Sequence, residues 1–314
     1  MLSFQGQNMD SFKHEEKFQT AIELINFFTE PKNFTINDYF DTSDQLPSRF
    51  IYRGQKCSTF DLKFSAFRDP ECFKSQSPQP PNQGLNNYLS HQLKAEEYAV
   101  FRFMEYADSV GLATPLNYEV LNIHTEMLMQ AFKDNSYDFK DPFPHKSMYS
   151  AFAFAQHHGI KTRFLDWSES PLIAAYFAAE EHVFSIPEMD KPEFFSIHAL
   201  DLKLIKNCKN LSVIKAPRFN NNFLREQKGV FTLLKNANNF YNSHKRWPTI
   251  EDELRDNFKN KNHGTPLIKM TLPSCEARSL LQILYKFGIT RLTLKPSLIN
   301  AASDFEYRKK LFPG

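Results

Sequence analysis

SAFAFAQHHGIKTRFLDWSESPLIAAYFAA, residues 150–179, is the stretch on which the reading of this chain turns. Two apolar runs, 148–156 and 171–179, carry small and aromatic residues on every side, the composition of helices buried all round. Between them lies a polar hinge with Gln156, His157, His158, Arg163, Asp166, Trp167 and Ser168. Gly159 can take the left-handed backbone that ends the first helix; Ser168 or Ser170 can cap the second, and Pro171 suits its first turn. Polar groups pinned between buried segments must satisfy one another or a ligand, because an unpaired buried group costs about 1–3 kcal/mol. Arg163 and Asp166 are near enough in sequence to pair, and Trp167 offers a flat apolar wall. The helix start behind Ser168 presents free N–H groups that suit a phosphate or carboxylate. The same residues also read as a polar knot that only fixes how two helices meet.

On the N-terminal side, RFIYRG (49–54) reads as a short strand leaving through Arg53-Gly54. Residues 12–29 place Phe18, Ala21, Ile22, Ile25 and Phe28 at helical spacing, and 69–87 is a Pro- and Gln-rich exposed loop. A long helix is expected over 87–110, with Leu89, Leu93, Val100, Met104 and Ala107 as its stripe and Glu97 at the same spacing. A carboxylate there either reaches water at the stripe's edge or pairs with a cation such as Arg53 or Arg68. Another helix is expected over 117–133, then a polar loop to 147. On the C-terminal side, 194–200, 229–234 and 267–272 read as strands, 209–224 as irregular, 236–264 as loop with a short helix, and 276–288 as a helix capped by Gly288. The order gives an α+β fold: a modest, mostly antiparallel sheet faced by helices, with the buried helix–hinge–helix at its centre. The expected division is a helical segment 1–48, a main domain 49–300 and a tail 301–314.

The totals restrict the function classes. With 38 Lys and Arg against 36 Asp and Glu the net charge is +2, too balanced to attract nucleic acid or membranes through a global field. The four cysteines are scattered without a CxxC, which fits a reducing, cytoplasmic setting. No apolar stretch is long enough to span a bilayer, and the first residues lack the pattern of a signal peptide. Neither HExxH nor His-x-His occurs, so no metal site is expected. GxSxG, Walker and dinucleotide-binding glycine patterns are absent as well.

These residues resemble the FRG domain, a bacterial and phage-borne family named for an aromatic-Arg-Gly motif. Here that motif is Tyr52-Arg53-Gly54, followed by a further basic position, Arg68. The family's Gln-His-His/Tyr-Gly stretch, running into Thr-Arg-Leu-Leu-Asp-Trp-Thr, is matched by Gln156, His157, His158, Gly159, Thr162, Arg163, Leu165, Asp166 and Trp167, with Phe164 and Ser168 as mild substitutions. Glu97 resembles the glutamate of the family's helix, and REQKGVFT (225–232) its Gln-x-Gly-x-Phe strand, giving Gln227 and Gly229. Phe223 stands where the family often has Arg, with Arg218 and Arg225 the basic residues nearby. The resemblance runs over roughly 50–300 and invites comparison with ADP-ribosyltransferases. It implies a pocket for a nucleotide-type ligand, NAD being the leading cofactor. Arg53 would hold phosphates or ribose, Trp167 or Tyr52 would stack on a ring, Ser168 would order the site, and Gln227 would take the catalytic carboxylate's place.

Three readings follow. The first is an NAD-dependent ADP-ribosyltransferase or NAD hydrolase serving as a toxin or antiphage effector, with Arg53, Ser168, Gln227 and Glu97 catalytic. Tyr52, Gly54, Arg68, Gln156, His157, His158, Thr162, Arg163, Asp166 and Trp167 would bind the ligand. The second is a module that binds the ligand without chemistry and signals to a protein partner. The third is a buried ionic network, Glu97, Arg53, Arg163 and Asp166, that fixes the fold and nothing more.

Overall fold

A computed structural model of the chain describes residues 12–30, 49–69, 73, 85–115, 141–185, 190, 192–216, 218, 221–259 and 264–313. Among these the fold is α+β, built on one seven-stranded sheet. The strands are β1 (Lys13–Lys17), β2 (Phe50–Gln55), β3 (Leu165–Ser168), β4 (Phe194–Asp201), β5 (Leu211–Ile214), β6 (Gly229–Leu234) and β7 (Leu267–Pro273), in the order β1-β7-β4-β2-β3-β6-β5. Only β1 and β7 run parallel. β2 pairs with β4 along its whole length, and β3 pairs with β6 along its own, but β2 and β3 meet at the single pair Tyr52–Ser168. The sheet is therefore two half-sheets joined at one point, and that junction positions the site.

Strand alternation gives each half a layer of helices. On the face of Tyr52 and Gly54, β2, β4 and β7 are covered by α1 (Ala21–Thr29), α5 (Pro171–Phe184), α10 (Ala277–Lys286) and α12 (Leu298–Leu311), with Ile197, Ala199, Met270 and Leu272 meeting Ala175, Tyr176, Leu281 and Leu311. On the same side of the other half, α3 (Leu85–Ser109) and α4 (Tyr149–His157) pack Val100, Met104, Ala151 and Phe152 against Phe231 and Leu233. The opposite face puts Ile51, Leu165, Trp167, Val230 and Leu267 under α2 (Ser65–Arg68), α6 (Leu202–Ile205) and α9 (Ile250–Asn257). The remaining helices, α7 (Asn222–Glu226), α8 (Ala237–His244) and α11 (Arg291–Leu294), close the periphery. No helix among the described residues is long and apolar enough to cross a membrane.

Several expectations are met closely: strands β2, β4, β6 and β7, helices α3, α4, α5 and α10, and positive φ at Gly159 and Gly288. Others are corrected. Residues 13–17 are not the first turns of a helix but strand β1, a polar edge strand held by backbone pairing to β7; the helix begins only at Thr20, whose capping box with Glu23 fixes its start. The supposed irregular stretch 209–224 contains β5 and most of α7, and 236–264 holds two helices, α8 and α9. The hinge itself contains β3, a strand in the middle of the sheet. The helix expected at 117–133 and most of the loop at 69–87 lie outside the described residues.

Candidate functional site

A cavity of about 550 Å³ opens on the Tyr52 face where β2 and β3 part. Alternation sends Arg53 to the opposite side from Tyr52 and Gly54, yet its Nη1 lies 2.7 Å from the Asp166 carbonyl oxygen and 3.7 Å from the Asp166 carboxylate. The guanidinium thus fills the gap in the sheet and replaces the missing ladder bonds. Its Nε is buried without a partner among the described residues. Desolvation, only partly countered by Asp166, pushes the Arg53 pKa down to about 10, so the group stays cationic at neutral pH. Gly54 serves packing. A Cβ there would sit 2.0 Å from the Ala174 carbonyl oxygen and 2.6 Å from the Ala178 nitrogen, so only glycine lets α5 lie this close to β2.

The C-terminal end of α4 supplies the second wall. Gln156 accepts hydrogen bonds from the Ser65 hydroxyl (2.8 Å) and from the Thr162 backbone N–H and hydroxyl (3.1 and 2.8 Å); its amide then donates to Asp166 Oδ2 at 2.9 Å. The carboxylate is aimed from behind while 44% of its side chain remains exposed. His157 and His158 follow on the same helix end. Burial first, then the neighbouring His158, pushes the His157 pKa down to about 4, so at neutral pH it faces the cavity as a neutral imidazole. Burial lowers His158 as well. Ser168 Oγ donates to the Gln227 carbonyl at 2.8 Å and accepts from the Ser170 N–H at 3.1 Å, tying α7 to the start of α5. Ser170 holds the N-cap position of α5 without a side-chain cap bond.

Phe177, Glu181 and Lys295, which the sequence reading did not single out, complete the lining together with Phe223 and Gln227, which it did. Phe177 and Glu181 come from α5, and Glu181 pairs with Lys56 at 2.6 Å. Lys295 is held by Glu180 at 3.2 Å and lies over the Phe177 ring at 5.4 Å. Phe223, which stands where the resembled family often has arginine, packs its ring against His157 at 5.8 Å. Gln227 is at the cavity, but its amide donates to the Leu294 carbonyl at 3.0 Å. The double acid at the end of an otherwise apolar helix, Glu180-Glu181, was the signal available for this wall.

Other expected site residues stand elsewhere. Arg163 does not pair with Asp166. It is 1% exposed and makes a bidentate pair with Glu96, at 2.7 and 2.8 Å, donates to Asn238, and lies over the rings of Phe143, Phe67 and Trp247. The buried carboxylate of α3 is therefore Glu96, not Glu97; Glu97 is half-buried and lines no part of the cavity. Both positions fit a period of 3.6 measured from Leu93, and the position of Arg163 decides between them. Trp167 borders the cavity but turns its indole into the core of the opposite face and donates to Thr232 at 2.9 Å; Tyr52, the other expected stacking residue, lines the cavity together with Phe177 and Phe223. Thr162 is wholly buried and acts on the site through Gln156. Arg68 donates to the Lys63 carbonyl outside the lining, its pKa lowered by burial.

Residues 117–184 match the model of the FRG domain family. The matched segment includes α4, β3 and α5, hence Gln156, His157, His158, Asp166 and Ser168; Tyr52-Arg53-Gly54 and Gln227 lie outside it. No curated protein and no solved structure matches the chain.

Proposed function

The chain carries an FRG domain, and on that premise we propose that the cavity at the split in the sheet binds a nucleotide, NAD first among them, for ADP-ribosyl transfer or NAD hydrolysis. The single observation that supports this most is the Arg53 guanidinium, held cationic in the gap beside an oriented, half-exposed Asp166 carboxylate. Arg53 and Lys295 supply two positive charges for a pyrophosphate, and an arginine fork suits phosphate oxygens. Phe177 and Phe223 offer faces for a base or nicotinamide ring. The volume falls in the range of small-molecule sites.

NAD supplies a glycosidic bond whose cleavage builds positive charge on the ribose. A carboxylate facing that charge stabilises it, and a carboxylate also accepts a proton where an amide does not. This reading gives the role to Asp166, oriented by Gln156, rather than to Gln227, whose amide is committed to Leu294. Ser168 keeps α7 and the start of α5 in register around the site. Action in the cytoplasm as a toxin or antiphage effector follows from the same reading.

One observation favours a module that binds without chemistry and signals to a protein partner: Asp166 already has Gln156 and Arg53 as partners. Mass spectrometry separates the two. Wild-type protein incubated with NAD and cell extract is expected to release nicotinamide, and Arg53→Ala to release none while still folded. Intact NAD in the presence of a saturable NAD binding isotherm would select the module; intact NAD without binding would remove both.

A further inference from the structure

A second cavity, of about 450 Å³, lies over β4 and β7 on the face opposite α5, beneath residues 58–61 and the start of α9. His198 forms part of its floor. In the cross-strand register it stands between Arg53 on β2 and Lys269 on β7. His198 is 1% exposed, yet its Nδ1 is buried without a hydrogen-bond partner among the described residues. Buried polar groups are almost always paired, so an imidazole nitrogen left unpaired at the floor of a cavity points to something that enters the cavity.

Over the whole lining the four cations are matched by Asp61, Glu251, Asp252 and the neighbouring Glu15, so the charges nearest His198, namely Lys269, Lys13 and Arg53, set the sign of that ligand. Lys13 and Lys269 share one carboxylate, Glu15, at 2.7 and 3.4 Å, which leaves one positive charge over beside His198. Across the cavity Arg246 and Arg255 likewise share Asp252, at 2.7 and 3.4 Å. Glu251 accepts the Leu62 N–H with both oxygens and also lies within electrostatic reach of Lys13 and Asp61. Asp61 is the remaining acid of the lining. Burial, with Lys269, Lys13 and Arg53 nearby, pushes the His198 pKa down to about 3, so at neutral pH the ring is uncharged and has one N–H to give.

We propose that this second cavity is an oxyanion site in which a carboxylate or phosphate group accepts a hydrogen bond from His198 and is neutralised by Lys269 and Lys13. The Ser58 and Thr59 residues of the same lining add hydroxyl donors. The volume exceeds that of the anion alone, so the ligand is an organic acid or a phosphoester.

Histidine-labelled protein, with the His198 imidazole resonance identified by its absence in His198→Gln, provides the test. Inorganic phosphate and acetate serve as probes for the two head groups. A saturable shift of the His198 signal is expected with at least one of them, together with a rise in its pKa, because a bound anion stabilises the imidazolium. The probe that saturates at the lower concentration identifies the class. Lys269→Met should weaken the effect at least tenfold, with Lys13→Met as the alternative variant if that one does not fold. Lys295→Met, in the first cavity, should leave it unchanged, which separates this site from nucleotide binding. A His198 signal unmoved by both anions, or moved equally in the folded lysine variants, overturns the proposal.

Discussion

Arg53 bridges two backbones and lines the proposed nucleotide cavity with one side chain, and its substitutions should separate those tasks. Arg53→Lys keeps the charge but loses the planar fork that reaches both the Asp166 carbonyl and the cavity. It should weaken nucleotide binding by about tenfold or more, about 1.4 kcal/mol, while Arg53→Ala abolishes it. A pH prediction belongs here too. His157 and His198 have native pKa values pushed down to about 4 and about 3, against about 6.5 in an unfolded chain. The unfolded state therefore binds the extra protons once pH falls below about 6.5, and stability is lost as pH drops from there toward those native values. Urea midpoints measured between pH 7 and 5 should fall with pH, and His157→Gln and His198→Gln should each flatten the decline. At this scale the sequence singled out Arg53, Gln156, Asp166 and Ser168, which the fold brings to one cavity. It misled where one turn of helix admits two answers, as with Glu97 and Glu96, and where a strand residue can face either side, as with Trp167.

Helices and strands carry the second set of consequences. Gly54→Ala places a methyl against the backbone of α5 and should cost about 3 kcal/mol or more, read as a lower denaturation midpoint. The Glu96–Arg163 pair locks α3 to the segment entering β3, with both side chains essentially inaccessible to water. Removing one partner leaves a buried charge. Glu96→Gln or Arg163→Met alone should destabilise by about 3–5 kcal/mol, and replacing both by apolar residues should recover much of the loss. A double-mutant cycle measures this, and equal losses in single and double variants would argue against the pair as a locking device. The flanking helices were legible because each keeps one composition over several turns. β3 was not: its four residues alternate as a half-buried strand does, but so short a run inside a polar hinge does not stand out, and pairing to β6 makes it a strand. β1 was hidden for a different reason: KHEEK is polar throughout with no strand pattern, and its edge position comes from β7, some 250 residues later in the chain.

Over the whole molecule, the α+β class was readable from the order of elements, but the division into two half-sheets was not, because it depends on register between β2 and β3, which are over a hundred residues apart. That division is what gives the site its place. Helices α4, α5, α7 and α12 converge where the two halves separate, and a ligand held there by Arg53 and Lys295 would bridge them. Binding to the native state alone raises stability by mass action, about 2.7 kcal/mol at a ligand concentration one hundred times the dissociation constant. The bound protein should also slow amide exchange at Tyr52 and Ser168, the one pair joining the halves. Calorimetric titration of NAD into wild type, Arg53→Ala and Lys295→Met tests the central claim most directly. The account predicts saturable one-site binding by the wild type, and affinity at least tenfold weaker in both variants, which fold normally. No binding heat from the wild type at millimolar NAD, or an unchanged affinity in Arg53→Ala, would contradict it.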